Sequence, residues 1–128
     1  MEKKFDLWNE KKKEANRSER LIFAEREIWF CRLGINVGFE QDGVGEEFFR
    51  PVVVLKKLND ATFIAIPLTR TPRSGKYYAP VIDAHGVSYA MLAQVRMIDA
   101  RRLAYKSRTM AEAAFRDLES KFNALFKP

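Results

Sequence analysis

The stretch from Arg50 to Thr69, RPVVVLKKLNDATFIAIPLT, most restricts what this chain can fold into. Two runs rich in Val and Ile stand on either side of Asn59-Asp60. β-Branched side chains favour a pleated backbone and Asn-Asp is a turn signal, so the pattern predicts a hairpin closed by a two-residue turn. Pro51 has no N–H to give to a ladder and is expected at the first position of its strand.

Further runs follow the same rule. REIWFCRLG (26–34) mixes β-branched and aromatic residues and ends in Gly. KYYAPVID (76–83) and GVSYAMLAQVRMI (86–98) read as strands separated by a turn at Ala84-His85-Gly86, and RRLAYKS (101–107) as a last short strand. The pattern then changes period. Phe115, Leu118, Phe122 and Leu125 recur at spacings of three and four, which makes one apolar helical stripe. Thr109-Met110-Ala111-Glu112 before it matches a capping box. Residues 3–17, rich in Lys, Glu and Ala, predict an N-terminal helix that docks through Phe5 and Trp8. The expected fold is mainly β with helices. Five to six short strands form a small, strongly bent sheet or barrel (26–128), with a C-terminal helix (110–126) packed on it and a helical extension (1–25) ahead of it.

A chain of 128 residues fits one core. The single cysteine, Cys31, cannot form an internal disulfide and removes any Cys-cluster metal site. No apolar run reaches the roughly 18 residues of a membrane span. The charged N-terminus lacks the apolar core of a signal peptide, so a cytoplasmic protein is expected. The formal charge is +6, and its excess is central: residues 28–110 carry twelve basic against seven acidic side chains, while both ends are close to neutral. A basic body suits a polyanionic partner.

Four pieces in order carry a family resemblance: REIWFCRLG, the FEQDG…RPVVVL segment from Phe39 to Leu55, AIPLTR, and LAQVRMIDARRL. Together they resemble the MazF/PemK toxins of toxin–antitoxin pairs, over about Arg26 to Leu125. The resemblance implies an SH3-like (MazF/CcdB-like) barrel, a homodimer, and a sequence-selective endoribonuclease acting on single-stranded RNA without a cofactor. It also implies a cognate antitoxin whose C-terminal segment lies over the RNA site. Three departures stand out. Val44-Gly45-Glu46-Glu47-Phe48-Phe49 lengthens the loop before Arg50-Pro51, Phe39 replaces a His found in some members, and Ala93 replaces an Asp. A scheme that relies on that His or Asp cannot operate here.

Metal-free RNA cleavage needs a base for the 2′-OH proton, cations for the phosphorane charge, and help for the leaving 5′-oxygen. One His and scattered carboxylates give no metal-ligand spacing, so no metal is expected. Arg50 is the leading catalytic candidate, because its fork of donors matches two phosphate oxygens and it acts by charge stabilisation. Glu40 serves either as the base or as a salt-bridge partner that holds Arg50. The hydroxyl of Thr69 would contact the phosphate or position the 2′-OH. Gln41, Arg70, Arg73, Lys76, Gln94 and Arg96 are the RNA-binding candidates, with Arg101 and Arg102 as further backbone-following cations. Gln94 and Arg96, two apart, would share one strand face. Tyr77, Tyr78 and Tyr89 could stack bases, although a strand tyrosine is more often packing. The alternative is a non-enzymatic toxin on the same barrel that binds a protein, as gyrase inhibitors do, or a catalytically weakened RNA-binding homologue. Glu46 and Glu47 favour it, since they would repel RNA in a groove.

Overall fold

The structure, a computed structural model, describes residues 21–33 and 49–127. The expected helix over 3–17 and residues 34–48, Glu40 and Gln41 among them, lie outside the described residues.

Val52, Val53 and Val54 are all fully buried, so the second strand is covered on both faces and its sequence is continuously apolar. Around it run β1 (Glu27–Arg32), β2 (Phe49–Lys57), β3 (Thr62–Thr69), β4 (Tyr78–Asp83), β5 (Gly86–Met91), β6 (Arg96–Asp99) and β7 (Leu103–Thr109), followed by helix α1 (Glu112–Ala124). All pairings are antiparallel. The strand order is β4-β5-β3-β2-β1-β7, with β6 joined to β3.

Alternation divides the core. Ile28, Val53, Leu55, Ile66 and Leu68 face α1 and the β4–β5 hairpin, where Phe115, Leu118, Val81 and Ala90 meet them. Trp29, Cys31, Val52, Val54, Phe63 and Ala65 face the other way and are covered by Phe23, Ile98, Ala100 and Leu103. Burial of Phe115 and Leu118 is what holds α1, at about 2–3 kcal/mol for each side chain.

Four local expectations are corrected. The β2–β3 connection runs through Leu58–Ala61 rather than a two-residue turn. Asn59 Oδ1 accepts from the Ala61 and Thr62 N–H groups at 2.7 and 2.9 Å and so replaces the missing backbone partners. Pro51 is the third residue of β2, tolerated because the β2–β3 ladder begins only at Val52↔Pro67. The run 86–98 is two strands, because a 3-10 turn at Leu92–Gln94 breaks it. The capping box does not form. Thr109 stays in β7 and Ala111 occupies the N-cap without a side-chain hydrogen bond. Tertiary contacts win there: Met110 is buried, its N–H donates to Arg26 O at 2.8 Å, and its carbonyl accepts from Arg26 Nε and Nη2.

Among the described residues there are seven strands rather than five or six, and the sheet they form is not closed into a barrel by its backbone. Its two end strands nevertheless meet. Arg108 Nε of β7 donates to Asp83 Oδ2 of β4 at 2.6 Å. Six strands laid flat would separate those ends by about 24 Å, so the sheet must curl strongly to allow the contact. Bulges supply the bend: registers shift at Val54/Lys56 in β2 and twice between β1 and β7.

The clamp makes a pH prediction. Burial pushes the Asp83 carboxyl up, but hydrogen bonds from Arg108 and the His85 N–H outweigh it, and the group lies below its ordinary 3.8. A lowered carboxyl stabilises the fold above about pH 4, and the contribution is lost as pH falls through the folded value. Asp83→Asn should therefore destabilise by about 1–2 kcal/mol at pH 7 in urea unfolding, and the gap to the parent should close as pH falls through the folded value. A gap independent of pH would reject the clamp as its cause.

Arg26 makes another. It adopts φ 80 while holding Met110 O. Arg26→Ala and Arg26→Gly both lose that bond, but only Ala keeps the strained backbone. Thermal unfolding should find the Gly variant more stable than the Ala variant by about 1 kcal/mol.

Candidate functional site

Arg50, the second residue of β2, is 5% exposed, and Thr69, the last of β3, is 4% exposed. The β2–β3 register pairs Val52 with Pro67 and Val53 with Ile66. Extended two residues past Val52↔Pro67, it brings Arg50 level with Thr69. Both share the face of Val52, Val54 and Ala65, because residues two apart on a strand point the same way. Arg50 pairs across β1 with Cys31, and Thr69 pairs across β5 with Tyr89, which in turn pairs with Pro80 of β4. One row thus crosses five strands: Cys31, Arg50, Thr69, Tyr89, Pro80. It runs from buried on β1 to half-buried at Tyr89 and exposed at Pro80.

Thr69 Oγ1 accepts from the Thr71 N–H at 3.2 Å. With that acceptance made, its O–H remains to donate. Cys31, the β1 end of the row, is fully buried. Burial pushes its thiol up to about 12, although Arg102 and Arg96 nearby pull the other way. Arg96 pairs with Ala65 and so rises on the Arg50 side of the sheet, and Arg102 Nη1 donates to Arg32 O at 3.0 Å.

The remaining candidates are distributed as follows. Arg70 is exposed and donates to Val87 O at 3.1 Å, against Gly86, where a Cβ would stand 2.9 Å from Arg70 Nη1. Arg73 and Lys76 lie in the loop from β3 to β4, on the end where Thr69 emerges, and Lys76 Nζ sits 5.2 Å from the Tyr77 ring. Gln94 and Arg96 are not on one strand face. Gln94 is half-buried in the 3-10 turn, and Arg96 opens β6 opposite Ala65. Arg101 is engaged by Asp99, with Nη2–Oδ2 at 2.9 Å. That bond and the Arg101 N–H hold the Asp99 carboxyl at about 2. Among the described residues no group of three His, Cys, Asp or Glu side chains is placed to hold a metal ion, and no helix is long and apolar enough to cross a membrane. The sequence marks Tyr89 no more than Tyr77 or Tyr78. Its place beside Thr69 depends on β3–β5 pairing, which leaves no local signal.

A curled antiparallel sheet with one C-terminal helix and a polar pair at one strand end defines a known class. The family model of PemK-like, MazF-like toxins of type II toxin–antitoxin systems matches residues 24–126, and the chain belongs to that family. Its fold is similar to solved structures of low identity. MazF from Deinococcus radiodurans is 18% identical with a TM-score of 0.65, over 82% of this chain and 96% of that one. A mycobacterial endoribonuclease in complex with its cognate antitoxin is 13% identical with a TM-score of 0.63, over 84% and 98%. The Mycobacterium tuberculosis toxin MazF-mt6 is 17% identical with a TM-score of 0.60, over 79% and 96%. No curated protein sequence matches the chain.

Cys31 offers a check on the buried layer that holds its end of the row. A thiol moved from 9.0 to about 12 carries roughly a thousandfold less thiolate at pH 8. Native protein should react with a disulfide reagent on the order of 100-fold or more slowly than protein in guanidinium. Rapid reaction in the native state would mean that this layer is open to solvent.

Proposed function

We propose that this toxin is an endoribonuclease that cuts single-stranded RNA by attack of the ribose 2′-OH on the adjacent phosphorus, without a metal. The carrying observation is the level placement of Arg50 and Thr69 on one face of neighbouring strands. Arg50 would stabilise the charge on the phosphorane oxygens. Its burial strengthens that effect, because a charge in a low-dielectric layer acts more strongly than one in water. Thr69 would donate its O–H to a phosphate oxygen. Glu40 is the proposed base, or the carboxylate that orients Arg50, and Gln41 the proposed base-edge contact. Arg70, Arg73, Lys76 and Arg96, with Gln94, would bind the RNA on either side. The same reading gives the protein a cognate antitoxin and a second copy of itself as partners.

One observation favours the second reading, a toxin that acts by binding a protein: Arg50 presents only 5% of its surface. A cleavage assay separates the two. A long single-stranded RNA is incubated in EDTA with the parent and with Arg50→Ala, and the ends are mapped. Cuts at a short recurrent motif, reduced about 100- to 1,000-fold in Arg50→Ala, are expected. Absence of cutting by the parent across many RNA sequences would leave the protein-binding reading.

A further inference from the structure

We propose that Tyr89, backed by Pro80, is the stacking platform for the nucleobase beside the bond that is cut; this rests on the nuclease reading above. Three observations carry it. First, Tyr89 is the direct cross-strand partner of Thr69, so their Cα atoms are about 5 Å apart and their side chains rise from the same face. A phosphate held at Thr69 and Arg50 has the base of its own nucleotide, or of the next, within reach of that ring.

Second, Tyr89 stands where the row changes from buried to open. Arg50 and Thr69 are below 6% exposed, Tyr89 is half-buried, and Pro80 is exposed. The Tyr89 side chain is therefore partly covered and partly open to solvent. Third, its ring pairs with no other ring among the described residues. Other rings pair off, Phe23 with Phe63 and Phe30 with Tyr105, both at 4.9 Å. A partly exposed ring beside a phosphate-handling pair suits a base, because every base has a π-face and stacking tolerates sequence. Arg70, held at Val87 O on the same strand, sets a cation near that platform for the following phosphate.

The test is a cycle between the ring and the base. A short RNA carrying a mapped cleavage site is made with a 2′-deoxy sugar at the attacking position, so that it binds without being cut. Versions with an abasic sugar on either side of the site are compared. The parent, Tyr89→Phe and Tyr89→Leu are measured, with thermal midpoints as a check that each is folded. The parent and Tyr89→Phe should lose about tenfold in affinity at one abasic position. Tyr89→Leu should show that loss already with intact RNA and no further loss at that position. Equal abasic losses in all three proteins would overturn the platform and leave the nuclease reading standing. A parent that cuts no RNA would overturn the nuclease reading, and the platform with it.

Discussion

The outer edge of β3 is shared between two strands, and the candidate site exists because of that division. Thr62 to Ala65 pair with β6, while Leu68 and Thr69 pair with β5. The unpaired step falls at Ile66-Pro67, where Pro67 has no N–H to offer. The chain accommodates the switch with the 3-10 turn at Leu92–Gln94, which leaves β5 and enters β6. One consequence is that Tyr89 stands beside Thr69. The other is that Arg96 stands opposite Ala65 on the face that holds Cys31. A single uninterrupted strand from 86 to 98 would have delivered one of these neighbours and not both.

The curl of the sheet follows from a second constraint. Open sheets carry exposed edges, which are liabilities unless paired, covered or charged. Here the two end strands approach one another and join through a side-chain pair, Arg108 with Asp83, while α1 packs across the inner face. Glu27 reinforces the β1–β7 seam: its carboxylate accepts from Trp29 Nε1 and the Ala24 N–H and faces Lys106 Nζ at 3.2 Å. Burial raises its pKa, the bonds outweigh that, and the group stays ionised below its ordinary value. Charged groups thus complete a barrel-like shape that backbone hydrogen bonds leave open.

The basic excess also acquires a location. Arg50 and Arg96 lie on one side of the sheet, whereas Arg101 and Arg116 are engaged by acidic neighbours along the chain. Counting charges along the sequence could not separate these groups, because a guanidinium next to Asp99 and one under a strand look alike in composition. For that reason the field at the Arg50 end is a property of the fold.

What the sequence determined by itself is local and periodic. The strands around RPVVVL and ATFIAIPLT, the apolar stripe of Phe115 and Leu118, and Arg50 and Thr69 at the strand ends were all legible. Period and turn chemistry act over a few residues, and family motifs are read as strings. What only the tertiary structure decided is long-range. It set the break in 86–98, the loss of the capping box at Thr109 to Met110 contacts with Arg26, the open sheet clamped by Arg108 and Asp83, and the row that leads from Arg50 to Tyr89. Each of these is a contact between residues far apart in the chain. Its free energy appears only once the sheet has curled, so no window of sequence carries it.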